Sequence, residues 1–283
     1  MRYLIVGAGG MLGSDLQSAL AGRDVTAATR AELDVTDASA VTAAVAGHDV
    51  VINAAAYTKV DDAESHEDAA YAVNATGARN LAAAAAAVGA KLVQISTDYV
   101  FDGSATEPYA ESTAVAPVSA YGRTKAAGER LALETHRDGT YIVRTAWLYG
   151  QHGPNFARTM LTLAGKLDTV AVVTDQVGQP TWTLDLAKQI VALLDADAPA
   201  GIYHGTNAGQ TNWFGFACAV FAAAGLDPER VLPTDSTQFV RPAPRPTYSV
   251  LGHDAWARAG LSPMRPWTDA LTDAAKHGAF TVS

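Results

Sequence analysis

The sequence predicts an α/β protein built on a doubly wound parallel sheet, and three observations carry that prediction. Short apolar runs alternate with helix-prone stretches from residue 3 to residue 144, as strands joined by crossover helices do. The first run, Tyr3-Leu4-Ile5-Val6, passes straight into a glycine-rich turn, Gly7-Ala8-Gly9-Gly10-Met11-Leu12-Gly13. The run Val50-Val51-Ile52-Asn53 is apolar without alternation, which fits a strand covered on both faces.

A chain of 283 residues can bury a full core as one large or two modest domains. Its 49% hydrophobic and 17% charged residues describe an ordered, soluble protein. The net charge of -9 argues against a nucleic-acid partner, because phosphates need basic stripes. Cys218 is the one cysteine, which excludes an intramolecular disulfide and a cysteine metal cluster and fits the cytoplasm. The first strand begins almost at once, with no secretory-signal pattern. The longest membrane candidate, 81–88, is mostly alanine and falls short of the roughly eighteen residues a spanning helix needs. No membrane partner is expected.

The elements follow in order. Residues 14–21 predict the first helix and 25–28 the second strand, which runs on to Thr29-Arg30. Residues 32–37 lead to a helix that Thr36 or Asp37 caps. Small residues, Ala54-Ala55-Ala56, follow the strand at 50–53 and leave room for a flat ligand or for helix packing. Asp61, Asp62, Glu64, Glu67 and Asp68 read as a solvated acidic face near a helix start. Residues 74–89, with six consecutive alanines, predict a slim helix that packs closely on the sheet. The strand at 91–95 delivers Ser96-Thr97-Asp98, a helix opens over 119–125, and 141–144 is a further strand. Beyond Gly150 the pattern breaks into helices at 155–167 and 184–194 among Pro- and Trp-rich loops. We read 1–150 as a dinucleotide-binding domain and 151–283 as a smaller C-terminal substrate-binding lid, some of whose segments return to the first domain.

Two local patterns point to chemistry. Glycines at 7, 10 and 13 suit a tight turn, a close backbone approach and helix-to-strand packing, at a helix N-terminus that attracts a pyrophosphate. The same spacing serves packing alone; its place directly after the first strand favours binding. Arg30 would accommodate a 2′-phosphate and so NADP(H), whereas Glu32 is a competing acid that would favour NAD(H). The second pattern is Tyr121 and Lys125, four apart and so on one helix face. An ammonium there should pull the phenol down from about 10 toward working pH. A solvated surface pair has the same spacing, but Thr97 at a strand end offers a hydroxyl for the same carbonyl oxygen.

Together the glycine turn, the strand-end hydroxyl and the Tyr/Lys helix resemble the extended short-chain dehydrogenase/reductase superfamily, with its Rossmann sheet. The stretches 53–58, 96–103, 121–125, 144–149 and 175–181 resemble, within it, the branch that reduces 4-keto sugars carried on dTDP. The most specific is Ser96-Thr97-Asp98-Tyr99-Val100-Phe101-Asp102-Gly103.

The resemblance implies NADPH as cofactor, with NADH as the alternative, and reduction of dTDP-4-dehydro-L-rhamnose to dTDP-L-rhamnose for cell-surface polysaccharide. It implies that Gly7, Gly10, Met11 and Leu12 line the pyrophosphate and that Arg30, Asp34 and Val35 surround the adenosine. Ala54, Ala55, Ala56 and Tyr57 then lie along the cofactor. Thr97, Tyr121 and Lys125 are the implied catalytic set, with Tyr121 as proton donor and Lys125 on the nicotinamide ribose. Thr97, Asp98 and Trp147 are implied at the sugar. Asn155, Gln179 and Arg245, with Arg158 and Arg241 as further cations, are candidates for the nucleotide diphosphate. Some members are dimers held partly by magnesium; here Asp15 could contribute, but the stretch 275–280 carries no acid, so no metal is expected and monomer or homodimer stays open. A non-catalytic NADP-binding regulatory subunit and another nucleotide-sugar reductase or epimerase are the rival readings.

Overall fold

Strand β1 (Arg2–Val6) lies inside the sheet because its side chains are apolar on both faces. Tyr3 and Ile5 join one core layer, and Leu4 and Val6 join the other. The structure is a computed structural model and describes residues 1–280. From β1 the chain runs through α1 (Met11–Ala19), β2 (Asp24–Ala28), α2 (Ala38–Val45), β3 (Val50–Asn53), α3 (Val60–Ala63) and α4 (Glu67–Tyr71). A π-helical turn, Ala72–Thr76, leads into α5 (Gly77–Val88), followed by β4 (Lys91–Thr97), α6 (Ala120–His136) and β5 (Thr140–Thr145). Then come β6 (Leu148–Tyr149), α7 (Phe156–Ala164), β7 (Val170–Val173), β8 (Val177–Gly178), β9 (Thr181–Trp182) and α8 (Thr183–Asp195). The chain finishes with β10 (Gly201–His204), β11 (Thr211–Asn212), α9 (Trp213–Ala223), β12 (Val231–Thr234), α10 (Asp254–Arg258) and α11 (Trp267–Lys276).

Six strands form the main sheet in the order β10-β5-β4-β3-β1-β2, with every neighbouring pair parallel. From β1 the chain goes first to one side and then to the other, so a crevice opens outside the carboxyl ends of β1 and β3. Leu12 and Leu16 of α1 and Leu186 and Ile190 of α8 cover one face. Val41 and Val45 of α2, Leu81 of α5 and Ala132 of α6 cover the other. Leu16 is fully buried, and cutting it to alanine would cost about 2–5 kcal/mol. A third cluster, which includes Tyr149, Trp182, Phe216, Phe221 and Leu271, fills the C-terminal region.

Several boundaries differ from the sequence reading for physical reasons. Helix α1 starts at Met11 rather than 14, because Gly10 is extended (φ −81°, ψ 171°) and acts as its N-cap. Asp37, not Thr36, caps α2, accepting from the amides of Ser39 and Ala40. The helix expected over 74–89 begins upstream and is interrupted by the π turn. There Asn74 Oδ1 accepts from the Tyr57 amide, while its Nδ2 donates to Tyr57 O and Thr124 Oγ1. A Cβ on Gly128 would lie 2.2 Å from Asn74 O, so only glycine lets α6 approach so closely. Strand β10, Gly-Ile-Tyr-His, carries too little apolar pattern to stand out, yet it forms the sixth strand beside β5. Among the described residues no helix is long and apolar enough to cross a membrane.

Candidate active site

The turn after β1 is built for close approach. Gly7 has φ +82°, and a Cβ there would sit 2.6 Å from Ala55 N; one on Gly13 would sit 2.3 Å from Gly7 O. Helix α1 begins with no side-chain cap, so its first amides and the positive end of its dipole face the crevice. At the end of β2, Arg30 and Glu32 are placed differently. Glu32 accepts from the amide and hydroxyl of Thr29, both at 2.8 Å, whereas Arg30 lines the crevice. Asp34 and Val35 line it too. The Thr36 amide and hydroxyl hold the Asp34 carboxyl below its usual range, and Arg30 adds to this.

Beyond β3, Asn53 donates to Gln94 Oε1 at 2.8 Å and accepts from the Ala55 amide at 3.1 Å, which fixes the path of Ala54, Ala55 and Ala56. Tyr57 follows, its hydroxyl donating to Asp62. Gly7, Gly10, Met11, Leu12, Arg30, Asp34, Val35, Ala54, Ala55, Ala56 and Tyr57 all line one cleft, together with Thr97, Asp98, Tyr121, Lys125 and Trp147. Its volume, about 1190 Å³, exceeds the ~300–1,000 Å³ of a one-ligand site and leaves room for a dinucleotide and a second molecule.

At the centre, β4 ends in Thr97 and α6 begins with Ser119 as its cap, accepting from the Gly122 amide at 3.1 Å. A Cβ on Gly122 would lie 2.2 Å from Tyr99 O, so glycine lets the start of α6 press against the segment carrying Thr97 and Asp98. Tyr99 meets Tyr121 edge to face, with centroids 5.6 Å apart. Lys125 is buried and its Nζ donates to Ile95 O at 2.6 Å. Burial lowers the Lys125 ammonium to about 8 against the opposing pull of Glu129. Glu129 itself is paired with Arg144 at 2.7 Å.

The expected lowering of the Tyr121 phenol is not what the structure has. Burial pushes Tyr121 up and the nearby Asp98 carboxylate adds to this, while only the Thr97 hydroxyl pulls the other way. The Lys125 ammonium donates to a backbone carbonyl. Tyr121 is held above the ordinary phenol value, on the protonated side at neutral pH. Burial likewise pushes the Asp98 carboxyl up to about 6. Asp98 Oδ1 accepts from Thr97 at 2.9 Å and the Ser249 hydroxyl also pulls its carboxyl down, whereas the buried hydroxyl of Thr145, opposite Thr97 in the sheet, has no hydrogen-bond partner. Buried polar atoms seldom go unpaired, and Thr145 lines the cleft, where a ligand would supply a partner. Thr145 was not legible in the sequence as a site residue.

At the cleft mouth Trp147 has φ 45°, a conformation that costs a bulky residue about 1–3 kcal/mol and persists only where packing enforces it. Its indole stacks on Trp213, centroids 3.5 Å apart, and packs against Gly178. Trp213 also lines the cleft, yet nothing in its local sequence signals this.

Three substrate candidates do not line the cleft. Asn155 caps α7, accepting from the Arg158 amide and donating to Gly150 O. Gln179 is buried and accepts from Leu251 N and Thr206 Oγ1, so it ties loops together. Arg245 pairs with Asp61 at 2.9 Å and lies over the Tyr99 ring. Of the further arginines, Arg158 donates to Gln151 O and Arg241 is exposed. Asp15 is buried under Gly150 and accepts from Thr183 Oγ1. Among the described residues no group of three or more His, Cys, Asp or Glu side chains is arranged to hold a metal.

Comparison with known proteins gives the family. The RmlD substrate binding domain family matches residues 1–280. A dTDP-4-dehydrorhamnose reductase of Streptomyces griseus is 54% identical over 96% of this chain and 92% of its own length, and one of Mycobacterium tuberculosis is 48% identical over the same shares. A dTDP-4-keto-6-deoxy-D-glucose reductase of Streptomyces niveus is 51% identical over 96% of both chains. The crystal structure of the Bacillus anthracis dTDP-4-dehydrorhamnose reductase in complex with NADP superposes with a TM-score of 0.94 at 41% identity, covering 98% of this chain and 99% of that one. With its Rossmann sheet and a cleft that gathers Thr97, Tyr121 and Lys125 beside the glycine turn, this chain belongs to the dTDP-4-dehydrorhamnose reductase family of the extended short-chain dehydrogenase/reductases.

Proposed function

We propose that this protein uses NADPH to reduce the 4-keto group of a dTDP-linked 6-deoxy sugar, converting dTDP-4-dehydro-L-rhamnose to dTDP-L-rhamnose. The observation that carries the reading is the convergence of Thr97, Tyr121 and Lys125 with the glycine turn along one cleft of two-ligand size. The glycine cradle and the cleft-facing Arg30 fit a dinucleotide with a 2′-phosphate. When bound there, NADPH supplies the hydride for carbon 4. Tyr121, a protonated phenol at neutral pH, gives its proton to the oxygen of that carbon as negative charge develops. The Thr97 hydroxyl donates a hydrogen bond to the same oxygen, giving up its bond to Asp98. Lys125 holds the ribose hydroxyls with the ammonium protons that Ile95 O leaves free. Asp98, which lines the same cleft, accepts from a sugar hydroxyl.

The Streptomyces niveus relative bears the name of a reductase for a different 4-keto-6-deoxy sugar, so the configuration of the sugar is the finer part of the proposal. We also expect the protein to act in the cytoplasm, free of nucleic acid and membrane, as a monomer or homodimer. The test supplies dTDP-4-dehydro-L-rhamnose made by upstream enzymes, adds NADPH and this protein, and follows absorbance and product by NMR. One NADPH consumed per dTDP-L-rhamnose formed is the expected result. A sugar that changes configuration without gaining two hydrogens would replace the reading with epimerase chemistry, and no consumption would favour a non-catalytic subunit.

A further inference from the structure

Beneath the cleft, and outside its lining, lies a buried ion pair. Glu129 and Arg144 are 4% and 2% exposed. Arg144 Nε donates to Glu129 Oε1 at 2.9 Å and Arg144 Nη2 to Oε2 at 2.7 Å, a two-pronged pairing. The Ser96 hydroxyl donates to the same carboxylate. The remaining Arg144 nitrogen, Nη1, faces Glu111 O and His204 Nε2, each at 3.4 Å. Burial lowers His204 to about 3, so its ring is neutral; with Nδ1 donating to Gly252 O, Nε2 can only accept. The Glu111 carboxylate is engaged elsewhere, by the Ala255 amide and Arg258. Glu129 is thus the anion that answers the Arg144 guanidinium.

The same carboxylate serves a second cation. Lys125 stands four residues before Glu129 on α6, on the same helix face, and is itself 4% exposed. The two side chains grip consecutive residues of β4: Ile95 O accepts from Lys125 Nζ, and Ser96 holds Glu129. Thr97 comes next in the strand. Burial lowers the Lys125 ammonium to about 8, and the Glu129 carboxylate opposes this. Asp98, the acid that lines the cleft nearby, acts instead on Tyr121. A buried charge left without a counter-charge gives up its ionisation, and a guanidinium cannot lose its proton. Any deficit of negative charge here therefore falls on Lys125.

We infer that Glu129 is a positioning residue that acts through Lys125: fixed by Ser96 and Arg144, its carboxylate keeps the Lys125 ammonium charged at neutral pH and seated on Ile95 O. Its bearing on catalysis rests on the reaction proposed above, in which Lys125 holds the ribose. Loss of an opposite charge at this range moves a titration by about one pH unit or more, so without Glu129 about half or more of Lys125 would be neutral at pH 7.

The test reads Lys125 directly. The full chain, free of cofactor and carrying lysine labelled with 13C at the ε carbon, is titrated by NMR, and the Lys125 signal is assigned by its loss in Lys125→Arg. In the parent it should titrate near 8. Glu129→Gln should titrate about one pH unit lower, and Glu129→Asp, which keeps the charge, close to the parent. Because Glu129→Gln strands Arg144 and can fail to fold, Glu129→Gln/Arg144→Gln is measured beside it, and should also titrate lower. A purely structural pair predicts a fold weakened in the single variant and recovered in the double one, with Lys125 unmoved in both; that result overturns the inference. A parent Lys125 titrating at the ordinary lysine value overturns it too. The alkaline limb of kcat/KM should move down with the titration, and a limb that stays in place while Lys125 moves would contradict the bearing on catalysis. If the parent consumes no NADPH with the keto sugar, it is the proposed reaction that has failed, and the titration alone decides the role of Glu129.

Discussion

The two halves of the cleft are made in different ways. The cofactor half is a local product: β1, the turn and α1 are consecutive, and the fit of Gly7 and Gly13 is set mainly by backbone contacts with Gly7, Ala8 and the Ala54-Ala55 peptide. The sugar half is assembled from distant segments, with Trp147 leaving β5, Gly178 on β8 and Trp213 opening α9. On the proposed reading, cofactor binding would rest on backbone geometry that tolerates no side chain, and sugar binding on side chains that long-range packing holds in place. The first half should fail through strain, and the second through loss of alignment.

The largest effect tests the point where the halves meet. Tyr121→Phe removes the proton donor while keeping the ring against Tyr99, so kcat should fall by about 10²–10⁴ with NADPH affinity unchanged. Steady-state kinetics beside a fluorescence titration of NADPH checks this, and near-parental kcat would take Tyr121 out of the chemistry. Next comes Gly13→Ala. The added methyl meets Gly7 O and Ala8 Cα, both backbone, so about 1–3 kcal/mol of stability should be lost and NADPH should bind more weakly. Urea unfolding with and without NADPH reads both; full stability would mean that the turn yields and that the local account is too rigid.

A pH profile probes the same junction. Lys125 is charged below about 8 in the free protein and loses its proton as pH rises through that value. Because kcat/KM reports free-enzyme groups, it should fall about tenfold per pH unit above that value, and Lys125→Arg should move the alkaline limb upward in whatever activity survives. An unmoved limb would assign it elsewhere. The smallest effect is at the rim: Arg30→Ala should lower the NADPH-to-NADH preference by about tenfold, the worth of one charge-assisted contact. An unchanged ratio would transfer the 2′-phosphate to another group.

The same contrast explains what could be read from the sequence. The glycine spacing, the i to i+4 relation of Tyr121 and Lys125, and the strand-end position of Thr97 are local patterns, and the structure brings those residues into one cleft. The sign of the shift at Tyr121 was not legible, because it depends on desolvation and on the nearby Asp98 carboxylate, which only the fold brings together. Asn155 is used as a helix cap three residues from its partner, which local sequence rules already favour, whereas the use of Gln179 as a loop tie depends on Leu251, far along the chain. The sixth strand was hidden for a related reason: Gly201–His204 is short and reads as a strand only beside β5. Trp213 carries no periodicity that distinguishes a cleft wall from a core residue.

The central claim is that the cleft sets the sugar's carbon 4 against the hydride-bearing carbon of NADPH with Tyr121 as the acid. Reduction of dTDP-4-dehydro-L-rhamnose with NADPH deuterated at that carbon tests it most directly, read by mass and proton NMR of the product. The expected product is dTDP-L-rhamnose with one deuterium, at carbon 4 and nowhere else. Deuterium at carbon 3 or carbon 5, or a product formed with none, would contradict the account.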